Sequence, residues 1–180
     1  MNAFRDVLQD KFSETLVTNL RRNKEILYIF KGYYYVKDPR EQQGSFTQYS
    51  PEEMIYAVLN KMNILWYLGL DSALERNKII WQAVVNPVIL NSEFSGNKEI
   101  LGVKFRFHKM KRNMIDFGYI KRTTKNRITF YYSDPEKTYL DYIYHHKKIP
   151  SELSEVKHSK KTKLYLSFYS RSFKKKVFES

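Results

Sequence analysis

Basic and apolar side chains alternate over residues 103–109, a spacing that could hold the phosphate groups of a nucleic acid. Successive side chains of a β-strand point to opposite faces, so Phe105 and Phe107 would share one face. Lys104 and Arg106 would then share the other face with His108. Because lysine and arginine donate hydrogen bonds to phosphate oxygens, the pattern predicts a half-buried strand with a cationic outer face.

The same alternation recurs in the segments 116–122 and 127–132, and short polar turns separate the three segments. We therefore predict an antiparallel sheet that packs one face on a core and presents a positive face to its partner. The cations expected to contact nucleic acid are Lys104, Arg106, Lys109, Lys111, Arg112, Lys121, Arg122, Lys125 and Arg127, with the run Lys174–Lys176 as a further candidate.

The charge of the chain is unevenly distributed along its 180 residues. Residues 1–97 contain 11 basic and 11 acidic side chains, whereas residues 98–180 contain 21 basic and 8 acidic ones. The whole excess of +13 therefore lies in the second half. Such asymmetry favours a nucleic acid or another polyanion as partner, and a plain solvated basic surface is the alternative.

Residues that could perform catalysis are few. The chain contains no cysteine, which excludes disulfides and thiolate metal sites, and it contains no glycine-rich phosphate loop. The acidic residues of the basic half include Asp116, Asp134, Glu136 and Asp141, and a metal-dependent nuclease stays as an alternative because it would need such groups to converge. Asp141 and His145 could share a metal, but a histidine near a helix C-terminus is favoured by the dipole alone. We expect no enzyme, no metal and no cofactor.

The N-terminal elements have the order of a winged helix. A short helix is predicted at 4–11, and a second helix is predicted from an N-cap at Ser13 to about residue 24. A hairpin follows at 26–36, with Lys31 and Gly32 as its turn. The second helix of such a fold enters the major groove, and a small α+β cap is the alternative. Its candidate contacts to bases and phosphates are Thr15, Thr18, Asn19 and Arg22.

The predicted organisation is a winged-helix-like module at 1–38, a linker at 39–49 and a basic α/β domain at 50–180. Ser50, followed by proline and then by Glu53, forms a capping box that begins a helix.

In the basic domain, strands are predicted at 81–85 and 88–94 on either side of Asn-Pro. Asp134 is predicted as the N-cap of a helix, and one further helix is predicted at 162–177.

Targeting signals are not evident. The chain lacks an apolar run near the roughly 20 residues that span a bilayer. Its first 20 residues include Asp6, Asp10 and Glu14 in place of the apolar stretch of a signal peptide. We therefore expect no membrane partner and a cytoplasmic location.

Three blocks, taken in order, resemble the AbiEi-type antitoxins of type IV toxin–antitoxin systems. They are the helix and hairpin at 13–38, the run Trp-Tyr-Leu-Gly-Leu-Asp-Ser-Ala-Leu at 66–74, and the run Thr-Phe-Tyr-Tyr-Ser-Asp-Pro-Glu-Lys-Thr-Tyr-Leu-Asp at 129–141. The family is similar in having a Tyr-Tyr-x-Gly-x-x-Ser-Ala-Leu-like block and an Asp-Pro-Glu-(Arg/Lys)-Thr-x-x-Asp-like helix start. In the family, a histidine and a glycine often follow the Ser-Ala-Leu helix. In this chain Asn77 and Lys78 occupy those positions.

The resemblance implies an α+β fold in which a winged helix-turn-helix module precedes a mixed α/β antitoxin-type domain with an antiparallel sheet. This chain departs from the family in its module, which is predicted to be reduced, short by one helix. It also implies a DNA-binding protein that represses its own operon and counteracts a nucleotidyltransferase-type toxin without a stable complex. A homodimer would match a palindromic operator. The alternative is an RNA-binding or RNA-processing protein that uses the same basic sheet.

Overall fold

The computed structural model describes residues 14–44 and 46–179, the side chain of Glu179 excepted, and the chain is an α+β protein. The chain divides into two compact units. The first contains the described residues up to Asn63 together with Thr123–Thr129, and the second contains Ile64–Arg122 and the residues from Phe130 on. The helix predicted at 4–11 and the N-cap predicted at Ser13 lie outside the described residues. Within the described ranges, every helix is too short or too polar to traverse a bilayer.

A helix and a hairpin open the first unit: α1 (Glu14–Arg22), β1 (Ile26–Phe30) and β2 (Tyr33–Val36). Lys31 and Gly32 form the predicted turn with φ angles of 46° and 80°. A two-residue turn that follows the twist of its strands requires such positive values, which glycine adopts at no steric cost.

The segment predicted to be a linker, 39–49, contains the helix α2 (Pro39–Gln43). A capping box between Asp38 and Glu41 begins this helix, and Glu41 is 2% exposed. The buried carboxylate accepts a hydrogen bond from the hydroxyl of Tyr35. The Asp-Pro-x-Glu pattern of α2 matches the Ser-Pro-x-Glu start at Ser50, twelve residues further along, but the apolar spacing that predicts the longer helix is absent after it. The domain boundaries at residues 38 and 49 stay predictions.

The helix α3 (Pro51–Lys61) begins at the predicted capping box, in which Ser50 and Glu53 bond each other's backbone amides. It buries Met54, Ile55 and Val58 in the first unit. The predicted helix start is confirmed.

A six-stranded mixed sheet forms the centre of the second unit, in the order β5-β6-β4-β3-β8-β7. Its strands are β3 (Trp66–Leu68), β4 (Val88–Asn91), β5 (Gly96–Ile100), β6 (Val103–Lys109), β7 (Tyr119–Thr123) and β8 (Thr129–Ser133). The pairs β4–β6 and β3–β8 are parallel, whereas β3–β4 and β5–β6 are antiparallel.

The prediction that β6, β7 and β8 are consecutive strands of an antiparallel sheet is wrong. β4 and β3 lie between β6 and β8, so the cations of β6 and those of β7 are at different ends of the sheet. Alternation along one strand identifies the strand and its two faces, but it carries no information about which strand lies next to it.

The strand predicted at 81–85 is also wrong, because this segment is an irregular loop. Trp81 is 91% exposed and Val85 is 80% exposed, so the apolar composition that favoured a strand serves no core here. The strand predicted at 88–94 is present but ends at Asn91.

The helices of the second unit are α4 (Asp71–Arg76), α5 (Arg112–Ile115), α6 (Pro135–Tyr144), a 3₁₀ helix (Ser151–His158), α7 (Lys160–Leu166) and α8 (Arg171–Glu179). Asp134 caps α6 as predicted, by accepting a hydrogen bond from the Lys137 amide at 2.8 Å. The helix predicted at 162–177 is two helices, because the chain turns between Ser167 and Ser170. Side chains of α4, α6, α7 and α8 share one core with β3 and β4.

Candidate nucleic-acid interface

The helix α1 presents one continuous polar stripe. Thr15, Thr18, Asn19 and Arg22 are spaced three, one and three residues apart, which places them on one face. All four side chains are exposed, and no residue of the helix is buried. Arg22 Nη2 donates a hydrogen bond to Asn19 Oδ1 at 3.3 Å, which aligns the two longest polar side chains. The structure therefore brings the four candidate contacts predicted on this helix onto one accessible surface.

The hairpin that follows α1 contributes aromatic and basic groups. The guanidinium carbon of Arg21 lies 6.0 Å from the ring centroid of Tyr28. The rings of Tyr28 and Tyr34 meet edge to face, 5.4 Å apart between centroids. The side chain of Lys31, at the turn, lies over Phe30. The tip and flank of the hairpin thus hold cations against aromatic rings.

The cations of β6 do not form the predicted outer face. Ladder partners place their side chains on the same side of a sheet, and Val88 pairs with Arg106 while Leu90 pairs with His108. Val88 and Leu90 belong to the core that the helices cover. Arg106 and His108 therefore lie on a covered face and are only partly exposed, whereas Lys104 is exposed. The prediction failed because interior strands with parallel neighbours are buried on both faces.

The cations predicted around β7 are all exposed. Lys121 and Arg122 lie on β7, which is the edge strand of the sheet, and Lys125 and Arg127 lie in the turn that leads to β8. Arg122 Nη1 donates to the neighbouring Lys121 carbonyl at 3.3 Å. An exposed edge strand with such side chains can accept phosphates without reorganising a core.

Three further predicted cations lie where β6 ends and α5 begins. Lys109 ends β6, Lys111 immediately precedes α5, and Arg112 begins that helix. All three are exposed. Lys109 on β6 is separated from Lys121 and Arg122 on β7 by the strands β4, β3 and β8.

Sequence reasoning underestimated the basic surface of α7 and α8. Residues 157–178 contain eight lysines and arginines and no acidic residue. Three large apolar side chains are exposed among them: Leu164, Phe168 and Phe178. The charge run was visible in the sequence, but a single helix across 162–177 would have buried a different set of apolar residues. This surface combines cations with exposed rings, a combination suited to unpaired bases.

A charged pair is buried between α6 and its neighbours in the second unit. The Lys137 ammonium donates to Asp141 one turn further along α6, and both side chains are fully buried. Asp141 Oδ2 accepts from the Tyr67 hydroxyl at 2.9 Å, and Lys137 Nζ also lies 3.1 Å from the Tyr169 hydroxyl. Both oxygens of Asp141 are thereby engaged by neighbouring side chains. The sequence showed the i, i+4 pair but gave no sign that it is buried.

Burial and mutual attraction act in opposite directions on this pair. Burial lowers the pKa of Lys137, and the nearby Asp141 raises it. Burial likewise raises the pKa of Asp141, while Lys137 lowers it. The ammonium also lies 5.1–5.8 Å from the ring centroids of Tyr67, Phe117 and Tyr169, which favours the charged form in a dry site.

His145, at the C-terminal end of α6, is a second titratable group on this helix, and its side chain is half-buried. Its Nε2 is buried and has no hydrogen-bond partner within the described ranges, and its ring centroid lies 5.1 Å from that of His108. Burial lowers the pKa of His145 to about 4, and the positive charges of His108 and Lys137 act in the same direction. Asp141, once a candidate to share a metal with it, is committed to Lys137.

We expect the protein to lose stability as the pH falls from 6.5 towards about 4, which is the interval between the ordinary and the folded-state pKa of His145. In this interval the unfolded chain binds a proton at His145 that the folded chain does not, so acid favours unfolding. The measurement is urea unfolding at neutral pH and at about pH 5, for the parent and for His145→Asn. The variant should lose less stability on acidification than the parent. His158→Asn, an exposed control, should follow the parent, and equal losses in all three would refute the assignment.

Residues within and just after the block at 66–74 make hydrogen bonds that join α4 to neighbouring strands. The Ser72 hydroxyl accepts from the Val88 amide at 2.8 Å, which joins α4 to β4. Asn77 stands where the family often has histidine, and its Nδ2 lies 2.8 Å from the carbonyls of Ala73 and Ser133. No family model and no curated protein matches the chain.

Proposed function

We propose that the chain is an AbiEi-type antitoxin that binds duplex DNA, represses its own toxin–antitoxin operon and counteracts a nucleotidyltransferase-type toxin. It would act in the cytoplasm, as a homodimer on a palindromic operator and without a stable complex with the toxin. The order of the three sequence blocks supports the family. The proposal assigns no catalytic residue, metal or cofactor to the chain.

The observation that carries the proposal is the exposed stripe of α1. A helix that buries none of its residues is available to a groove, and B-form DNA admits a helix into its major groove. Arginine is complementary to guanine and asparagine to adenine, so Arg22 and Asn19 have the chemistry to read base edges. In the proposal, α1 and the hairpin form a reduced winged-helix-like module that supplies this reading.

Most of the affinity would come from phosphate contacts made by exposed cations of the basic domain, since neutralising phosphates releases counterions. Exposure favours Lys104, Lys121, Arg122 and Lys125 over Arg106 for this role. The antitoxin-type domain would then position the protein on DNA, while α1 reads the sequence.

The experiment is a salt titration of binding to duplex DNA from upstream of the operon. Asn19→Ala and Arg22→Ala should each cost about 1–3 kcal/mol on the operator and much less on unrelated duplex. Lys121→Glu with Arg122→Glu should weaken binding to every duplex and lower the salt slope by roughly one per lost contact.

Lys148→Glu is the matched control, since Lys148 is exposed and lies outside the proposed interface. An unchanged affinity and salt slope in the Lys121 and Arg122 double variant would contradict the placement of the phosphate contacts. Equal losses on operator and unrelated duplex in the α1 variants would contradict sequence reading by α1.

The exposed rings among the cations of α7 and α8 favour a second candidate function, RNA binding. Unpaired bases stack on aromatic side chains at about 1–3 kcal/mol per base. Both rings are exposed: Phe168 lies between Lys163 and Arg171 in the sequence, and Phe178 follows the run Lys174–Lys176. A competition assay between operator duplex and single-stranded RNA, with Phe178→Ala, separates the two functions: RNA preference that this variant removes would favour the second.

A further inference from the structure

A cavity of about 380 Å³ lies within the second unit. Its walls come from α4, from the irregular loop between α4 and β4, from β6 and from the segment that leads into the 3₁₀ helix. The polar side chains on these walls include Asp71, Arg106 and Glu152. Their charges differ in sign, and what they contact within the protein determines what the cavity can bind.

Arg106 is half-buried and makes few hydrogen bonds to the protein. Its Nε is buried and has no hydrogen-bond partner in the described part of the chain. Its Nη2 donates to the Asn86 carbonyl at 3.4 Å, a long hydrogen bond. Within the described ranges no carboxylate lies within 4.0 Å of it, although two carboxylates line the same cavity. A guanidinium presents five donors in a fork that matches a carboxylate, so most of this capacity is available to a ligand.

The carboxylate of Asp71 is held in place from one side. The Tyr142 hydroxyl, on α6, donates to Asp71 Oδ1. Asp71 occupies the first turn of α4, where the helix dipole favours its negative charge. The backbone of the loop opposite is also fixed, because the Val84 amide donates to Glu75 Oε2 at 3.2 Å. An oriented carboxylate and a guanidinium with unused donors therefore share one cavity without pairing with each other.

The remaining walls are largely apolar. Leu74, Ile80, Val84, Val85 and Pro150 line the cavity. Ligand pockets of small molecules typically combine such walls with a few converging polar groups. The apolar side chains suit a hydrocarbon group, and the two charged residues suit an ammonium and a carboxylate attached to it.

We propose that this cavity binds a small zwitterion with an apolar body, of the chemical class of the aliphatic and aromatic α-amino acids. The ligand carboxylate would pair with the Arg106 guanidinium, the ligand ammonium would pair with Asp71, and the side chain would contact the apolar walls. The proposal goes beyond the proposed function and does not depend on DNA binding.

The charges of the walls disfavour simpler ligands. A plain anion would pair with Arg106 but would also meet the negative charges of Asp71 and Glu152. A plain amine would pair with Asp71 but would leave the donors of Arg106 unsatisfied. A zwitterion satisfies both groups and adds no net charge to the site.

Calorimetric titration of the full chain tests the proposal with three probes of matched size. L-leucine carries both charged groups, 4-methylpentanoate lacks the ammonium and isopentylamine lacks the carboxylate. L-leucine or L-phenylalanine should bind saturably, and each truncated analogue should bind at least about tenfold more weakly than leucine, about 1.4 kcal/mol. Trp81, between the cavity-lining Ile80 and Gln82, gives a second readout by its fluorescence.

Variants of the two charged groups assign the contacts. Arg106→Gln should weaken leucine and 4-methylpentanoate at least tenfold and leave isopentylamine unchanged, and Asp71→Asn should weaken leucine and isopentylamine instead. Arg112→Gln, an exposed arginine of the same unit that does not line the cavity, should bind as the parent does. Circular dichroism confirms that each variant is folded, and Arg106→Lys, which keeps the charge, replaces Arg106→Gln if the latter unfolds.

Two results would overturn the proposal. One is the absence of saturable binding of either amino acid up to millimolar concentration by the folded parent. The other is leucine binding that Arg106→Gln or Asp71→Asn leaves unchanged in the folded variant, which would place the ligand elsewhere.

Discussion

Lys137→Met is expected to lower the free energy of unfolding by about 3–5 kcal/mol, because it leaves the buried carboxylate of Asp141 without its cation. Methionine keeps most of the volume of lysine, so the loss reports the charge and its hydrogen bonds more than a cavity. Lys137 is 0% exposed and also donates to the Tyr169 hydroxyl, so water cannot replace the lost partner. Chemical denaturation followed by circular dichroism measures the change.

The matched control is Lys121→Met, which removes an exposed lysine of the same unit and should change stability by no more than about 0.5 kcal/mol. Adding Asp141→Leu to Lys137→Met should recover part of the loss, since no buried charge then remains uncompensated. If Lys137→Met lowered the free energy of unfolding by less than about 1 kcal/mol, the pair of Lys137 and Asp141 would contribute little to stability. A double variant less stable than the single one would mean that Asp141 is stabilised mainly by the Tyr67 hydroxyl.

Gly118→Ala should cost about 2–5 kcal/mol of stability, from two separate causes. Gly118 has a φ of +70°, and a left-handed conformation costs about 1–2 kcal/mol once a Cβ is present. That Cβ would also lie 2.7 Å from Lys137 Cβ and 3.0 Å from Tyr165 Cε2. Neither neighbour can move away easily, because Lys137 is fully buried and Tyr165 packs against the core. Such overpacking costs about 1–3 kcal/mol. Thermal and urea unfolding provide the measurement.

Gly102→Ala separates these causes. Gly102 has a similar φ of +81°, but a Cβ there would meet nothing within 4 Å. Its alanine variant should therefore lose only the conformational part, about 1–2 kcal/mol. If the two variants lost the same stability, the close approach of Gly118 to Lys137 would carry no energetic weight.

Local signals predicted much of the fold. Capping boxes or N-caps with a following proline located the starts of α3 and α6, because the bonds that make them are complete within four residues. The Lys31-Gly32 turn located the first hairpin for the same reason. The neighbours of β6 could not be predicted, since strand order depends on contacts between segments far apart in the chain. The turn at Ser167–Ser170 was hidden within an otherwise helical apolar spacing.

In the candidate site, too, local patterns predicted some features, while others depend on tertiary packing. Helical spacing placed Thr15, Thr18 and Arg22 on one face, and the structure leaves that face exposed. Alternation correctly placed Phe107 and Arg106 on opposite faces of β6. It could not show that the face with Arg106 is covered by helices. The burial of Lys137 is a tertiary property of the same kind, since nothing within one helical turn distinguishes it from a surface lysine.

The parallel pairing of β3 with β8 has a consequence for the way the chain folds. It places Leu68 opposite Tyr132, so the middle of the sheet closes only after a long intervening stretch of chain has been gathered in. Pairings between distant segments slow folding, because the entropy of closing the loop is lost before the contact is made. On the ribosome, β3 and β4 would emerge with an unpaired edge and keep it until β8 has been synthesised.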